Sequence, residues 1–186
     1  FEDGKLYCER TEIPIAWEGD VLVAGSGPAG LGASIAAARN GCKTLIIEKM
    51  GFLGGMASFG SGMPLGGAYP QGRSIGGIAE EFLSAVANAG QESASVRDVE
   101  HFGLWFYHDS EYFKSLVVEM IEAAGVDVLL HTFVSDIIQD GPTIKGLIIQ
   151  SKSGRQAVLG EAVVDATGDA DIAAWGGAPF EKGRPS

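Results

Sequence analysis

Three glycines carry the clearest chemistry in the 186-residue chain. Gly25, Gly27 and Gly30 stand in the spacing G-x-G-x-x-G, within Asp20-Val-Leu-Val-Ala-Gly-Ser-Gly-Pro-Ala-Gly30. Each has a separate physical reason. Gly25 lets the chain turn sharply off a strand. Gly27 lacks a Cβ, so a diphosphate can approach the backbone. Gly30 lets a following helix lie close to the sheet. That helix points its free N–H groups and positive dipole end at the anion. Glu48 follows Gly30 by 18 residues, near the ~20 at which an acid meets the ribose hydroxyls of a dinucleotide. An acid there accepts from those hydroxyls and repels a 2′-phosphate. The plain alternative is a surface acid at the end of a strand. Gly54-Gly55 comes next, either as a second close approach of backbone to ligand or as a flexible loop.

Other reactive side chains are sparse. His101, His108 and His131 are isolated in sequence and read as surface or helix-flanking residues rather than as a base. No catalytic acid or base stands out. Arg73 reads as a solvated loop arginine, with the rim of an anion pocket as the alternative. Cys8 and Cys42 form neither a C-x-x-C nor a zinc pattern, so no metal is expected and a reducing compartment is the default.

The elements that must position the glycines can be read around them. Val21-Leu22-Val23 is a continuous apolar run, as in a strand buried on both faces. Pro28 to Asn40 is rich in Ala and Leu, with Pro in the first turn, where its missing N–H costs nothing, and Asn40-Gly41 as the stop. Lys43 to Ile47 is a second strand ending on Glu48, so residues 20–48 form one βαβ unit. Ile75-Gly76-Gly77 opens a helix with Ile78, Phe82, Leu83 and Val86 on one face. Residues 91–108 read as a polar loop followed by the aromatics Phe102, Trp105, Phe106 and Tyr107, a piece of core or a pocket wall. Asp109 or Ser110 caps a helix whose apolar face runs from Tyr112 to Ala124, and Gly125 ends it. Val126 to Leu130 is a third buried strand. Phe133–Gln139, Thr143–Ser151 and Arg155–Leu159 then read as short strands joined by Asp140-Gly-Pro and Ser153-Gly turns, an antiparallel meander. It covers one face of the sheet where a helix is usual. Glu161 to Ala166 is a further strand, and Thr167-Gly168-Asp169 turns it into a helix near Ala170.

Composition narrows the class. A net charge of −11 with no Lys/Arg run argues against nucleic acid and anionic membrane surfaces. No apolar run nears the ~18 residues needed to span a bilayer. The 28 glycines cluster at 25–32, 51–77 and 168–183, which is loop chemistry. The polar stretch ending at Pro185-Ser186 leads us to expect a cut chain, and the cytoplasm is the expected location.

Taken in order, the fingerprint with Pro28-Ala29, Glu48, Gly54-Gly55, the meander and Val164-Asp-Ala-Thr-Gly-Asp169 resemble the glutathione-reductase-type FAD-binding fold. More narrowly, the chain resembles the N-terminal part of the FAD-dependent oxidoreductase family. Ile13-Pro14, Gly55-Met56-Ala57, Gly76 to Glu81, the Asp109/Glu111/Lys114 spacing and Asp165 to Arg184 carry that likeness. It implies an α/β Rossmann-like domain with a parallel sheet and an antiparallel meander crossover. Residues 1–19 are then a lead-in and 20–186 the FAD-binding domain, with 59–108 an insertion near the flavin. The resemblance implies Gly25, Ser26, Gly27, Pro28, Ala29 and Gly30 at the diphosphate, and Glu48 and Lys49 at the adenosine ribose. It sets Gly54, Gly55, Met56 and Ala57 toward the diphosphate or flavin, and Ser58, Phe59 and Ser61 near the ring. The Val134 backbone would hold adenine, and Ala166, Thr167, Gly168 and Asp169 would line the middle of the cofactor. No histidine or cysteine lies in 52–70, so non-covalent FAD is expected. Such families add a substrate domain and a late flavin-contacting segment. A further stretch of protein or a partner chain is therefore expected to complete the flavin and substrate site. The activity implied is hydride or electron transfer from a small organic substrate to an acceptor. The alternatives are a non-catalytic nucleotide-binding subunit with structural FAD or ADP, and a thiazole-synthase-like enzyme using NAD.

Overall fold

The computed structural model describes residues 12–60, 65, 75–89, 94–99 and 103–183. Cys8, Ser61, Arg73, His101, Phe102 and the last three residues lie outside them, as does most of the lead-in.

Eight strands and five helices are described. They are β1 (Ile15–Ala24), α1 (Pro28–Arg39), β2 (Thr44–Ile47), α2 (Met56–Phe59), α3 (Gly77–Asn88), β3 (Ala94–Val99), β4 (Gly103–His108), α4 (Ser110–Ala124), β5 (Asp127–Leu129), β6 (Phe133–Asp140), β7 (Thr143–Ser151), β8 (Gly154–Asp165) and α5 (Asp171–Trp175). Six strands form one sheet in the order β5-β2-β1-β8-β7-β6. The β5, β2, β1 and β8 strands are mutually parallel. The β8, β7 and β6 strands continue the sheet antiparallel. This is the mixed α/β fold the sequence implies.

Successive residues of β1 and β2 point to opposite faces, and both faces are buried. Val23 and Ile46 pack with Leu31 and Ile35 of α1, Phe82 and Val86 of α3, and Phe113, Val117 and Ile121 of α4. Leu22, Ala24, Leu45 and Ile47 pack instead with Leu147, Ile149 and Val158 of the meander and Ile172 of α5. One face of the sheet is thus covered by α1, α3 and α4, and the other carries a core shared by the parallel strands, the antiparallel strands and α5. Each fully buried Leu or Ile in these layers contributes about 1.5–3 kcal/mol. The α4 helix starts where Asp109 accepts hydrogen bonds from the N–H groups of Glu111 and Tyr112, at 2.8 and 2.9 Å, and ends on Gly125 at φ 76°. Both signals were legible.

Four local expectations change. The β1 strand begins at Ile15, because residues 15–19 pair with β8, so part of the lead-in belongs to the sheet. Residues 94–99, read as loop, are a strand paired with β4 from Ala94↔His108 to Val99↔Gly103. Their polar composition hid the hairpin. The strands at 155–159 and 161–166 are one long β8, which pairs with β7 over its first half and with β1 along most of its length. Finally, β5 is an edge strand, with Val128 37% exposed.

Candidate functional site

The parallel strands β1, β2, β5 and β8 end along one edge, and the glycine turn, Glu48, residues 130–132 and the turn after Asp165 gather there. Ligands of such sheets collect outside these carboxyl ends.

Ser26 is the hub, fully buried between the first two glycines. Its N–H donates to Glu48 Oε2 at 2.9 Å and its hydroxyl donates to the same oxygen. Its carbonyl accepts from the Gly54 N–H at 3.0 Å. One residue thus ties the turn to the strand-end acid and to the second glycine loop. Glu48 is 6% exposed, with no ion pair among the described residues, and the hydrogen bonds it accepts explain how its burial is tolerated. Oε1 accepts from the Met50 N–H at 2.8 Å. A carboxylate oxygen has two lone pairs, so Oε1 retains capacity for one more donor. The surface-acid alternative for Glu48 is therefore wrong about its burial.

The glycines divide by what a side chain would meet. A Cβ on Gly30 would run into the Gly25 carbonyl oxygen, with the Ala166 methyl 3.3 Å away. A Cβ on Gly25 would strike the Ala166 carbonyl, and its φ of 97° disfavours any L side chain. A Cβ on Gly55 would lie 2.7 Å from Gly27 Cα, so the second glycine loop is packed against the first. On Gly27 it would meet nothing within 4 Å. Three of these glycines are needed to close the protein on itself. Gly27 leaves open space at the N-terminus of a 12-residue helix that has no side-chain cap and no acid in its first turn. Open space, uncapped N–H donors and a positive dipole end are what an anion requires. Together with the spare lone pair on Glu48, they fit the diphosphate and ribose of a dinucleotide.

The remaining predicted residues fall around this cradle in different ways. Pro28, Ala29 and Lys49 are exposed on its rim. Ala166 sits behind the turn and donates its N–H to the Ala24 carbonyl at 2.9 Å. Thr167 is half-buried, and Gly168 and Asp169 are exposed beyond it. Val134 is the second residue of the edge strand β6. The Thr132 N–H donates to the Glu48 carbonyl and the His131 N–H to that of Met50, both at 3.0 Å, which brings Val134 near the acid. Met56 and Phe59 are 56% and 62% exposed, and Phe59 stacks on Phe52 at 6.2 Å. Ala57 and Ser58, by contrast, turn inward, at 4% and 1% exposed. Alternation around a single helical turn places them under the cradle rather than in it.

Two residues gain importance that their sequence context did not suggest. The Asp165 carboxylate accepts from the Thr167 N–H and hydroxyl at 3.1 and 2.7 Å and from the Ala173 N–H at 2.9 Å. Partial burial pushes its pKa up, but hydrogen bonds from Ala173, Thr167 and Ile172 outweigh this and hold it below the usual value. It locks the turn after β8 onto α5. His108, read as isolated, is 7% exposed, with Nε2 at 2.7 Å from the Ala57 carbonyl. His131 is exposed at φ 52° beside Gly51. Among the described residues no group of three or more His, Cys, Asp or Glu is placed to hold a metal, and no helix is long and apolar enough to cross a membrane.

Comparison with known proteins adds family to geometry. The family model described as FAD dependent oxidoreductase matches residues 20–186. The thiamine thiazole synthase of Archaeoglobus fulgidus is 30% identical over 166 residues, which cover 83% of this chain and 58% of that enzyme. The chain thus spans a little more than half the length of the curated relatives it matches. Among solved structures, THI4 of Thermovibrio ammonificans superposes with a TM-score of 0.60 at 22% identity, over 85% of this chain and 61% of that one. A geranylgeranyl bacteriochlorophyll reductase-like protein of Thermoplasma acidophilum gives 0.61 at 22% identity, over 87% and 42%. At this identity the structural likenesses establish the fold.

Proposed function

Because this chain belongs to the FAD dependent oxidoreductase family, with FAD as its cofactor, we propose that it is the FAD-binding part of an enzyme that moves hydride or electrons from a small organic substrate to an acceptor. The observation that carries this reading is the open approach at Gly27, with Glu48 buried beside it and held by Ser26. In this reading the N–H groups at the start of α1 hold the diphosphate, and Glu48 Oε1 accepts from the adenosine ribose. Ala166 to Asp169 flank the cofactor's middle, and the Val134 backbone faces adenine. FAD supplies the redox chemistry, and the protein supplies binding, orientation and exclusion of water. Binding is non-covalent. The isoalloxazine and substrate are enclosed by further protein, in the same polypeptide or in a partner chain. The relatives support this, since the matched region is only part of each.

A second reading rests on the 30% identity to a thiamine thiazole synthase: the same cradle serves in making a thiazole and takes a nicotinamide dinucleotide. The bound cofactor separates the two. Purified protein is denatured, and the released small molecules are identified by absorbance and mass. Released FAD supports the first reading. A colourless adenine dinucleotide would support the second and sink the first.

A further inference from the structure

His108 is a poor choice for filling space. It ends β4 and is 93% buried by its 7% exposure, with its ring 4.8 Å from that of Phe113. Its Nε2 lies 2.7 Å from the Ala57 carbonyl oxygen. That oxygen can only accept, so Nε2 donates in this bond. Nδ1 is buried and has no hydrogen-bond partner among the described residues. An apolar residue would strand no nitrogen there, but it would leave the Ala57 carbonyl without this donor. What the histidine adds is one hydrogen bond to the backbone of α2.

That bond joins two parts of the molecule distant in sequence. The preceding residues Gly54 and Gly55 have positive φ, 107° and 54°, and Gly55 is packed against Gly27. The Gly54 N–H is bonded to the Ser26 carbonyl at 3.0 Å. Thus α2 is anchored at its start by the dinucleotide turn and in its middle by His108. Its other residues, Met56 and Phe59, face outward beyond the cradle. Ser58 offers no third anchor among the described residues, where its buried hydroxyl has no partner.

We propose that His108 is a positioning residue for the cofactor. Through the Ala57 carbonyl it fixes α2 as the wall that continues the cradle from the diphosphate toward the flavin half. The adenosine end is held separately, by the Ser26–Glu48 linkage. Loss of the His108 bond therefore weakens FAD more than ADP. This inference rests on the FAD reading above.

The test compares His108→Met, which fills the space without donating, with His108→Gln, whose amide can still donate to Ala57. His108→Leu replaces the Met variant should that one fail to fold. FAD and ADP affinities are measured by titration, and hydrogen exchange is followed at the α2 amides. The Met variant is expected to bind FAD ~10-fold more weakly and ADP within about twofold of wild type, with faster α2 exchange, and the Gln variant to recover most of the FAD affinity. Equal weakening of both ligands would mean general destabilisation and would overturn the proposal. So would unchanged FAD affinity, or a Gln variant as weak as Met. A wild-type protein that takes up ADP but not FAD would overturn the FAD reading itself, and this inference with it.

Discussion

Gly27→Ala separates a glycine kept for a ligand from one kept for the fold. Gly27 has φ −62° and ψ 178°, extended backbone that alanine adopts freely. A Cβ there meets no protein atom within 4 Å. Replacing glycine where the backbone suits alanine stabilises by about 0.4–1 kcal/mol, through the unfolded chain. For a domain of this size that raises Tm by roughly 1–4 °C. The added methyl occupies the approach to the N–H groups of α1. It forces a bound phosphate outward, from ~2.9 Å to beyond the ~3.5 Å at which a hydrogen bond is lost. Losing one bond to a charged group costs about 1.5–3 kcal/mol, or roughly 10- to 150-fold in affinity. The assay is a thermal melt beside a titration of FAD fluorescence. Unaltered FAD affinity, or a Tm several degrees below wild type, would refute the assignment. Gly30→Ala is the control. Its Cβ collides with the Gly25 carbonyl, and the variant should lose about 1–3 kcal/mol of stability whether or not a ligand is present.

Ser26→Ala keeps the backbone bond to Glu48 and removes the hydroxyl one. Denaturant unfolding should show a loss of about 1–2 kcal/mol, and FAD should bind more weakly; unchanged stability and affinity would deny Ser26 its role as hub. Asp165 gives a pH prediction. Its folded-state pKa lies below the ordinary 3.8, so its contribution is fully present above that value and is lost as pH falls through the folded pKa. Acid unfolding followed by circular dichroism should be less steep in Asp165→Asn than in wild type below about pH 4, and identical acid limbs would contradict the assignment. Ser58→Ala removes a buried hydroxyl that has no partner among the described residues. Stability should hold or rise by up to about 1 kcal/mol, whereas a loss of that size would reveal a bridging water.

The fold was legible where local chemistry and tertiary need agree. Gly25, Pro28, Asn40 and Gly125 mark turns, first-turn positions and stops by their own backbone preferences, and the apolar stripe from Tyr112 to Ala124 turns toward the sheet. It was not legible where pairing decides. Residues 94–99 include Arg97 and Asp98 and lack alternation, yet they form a strand because β4 lies beside them. The long β8 reads as two strands divided at Gly160, whose weak strand preference is overridden by its pairing with Gly19 of β1.

The site was legible in the same uneven way. Spacing alone pointed to Gly27 and Glu48, and the structure brings the two together at the end of one βαβ unit. It could not show that Ser26 completes the acid. That bond spans 22 residues and depends on β1 and β2 lying side by side in register. Nor could it show that His108 reaches Ala57 across 51 residues. A histidine among aromatics carries no signal of a partner contributed by another element. The only cue available was position: His108 stands immediately before the capping Asp109, at the junction of a strand and a helix. Glu48 is consequently a poor residue with which to test ribose binding. Its removal also strands the Ser26 N–H, the Ser26 hydroxyl and the Met50 N–H, so lost FAD affinity would not distinguish a missing ribose contact from a disordered turn. Variants of Gly27 and His108 each leave the Ser26–Glu48 linkage intact, one at the proposed diphosphate position and the other beyond it, and for that reason they can resolve the cradle into its parts.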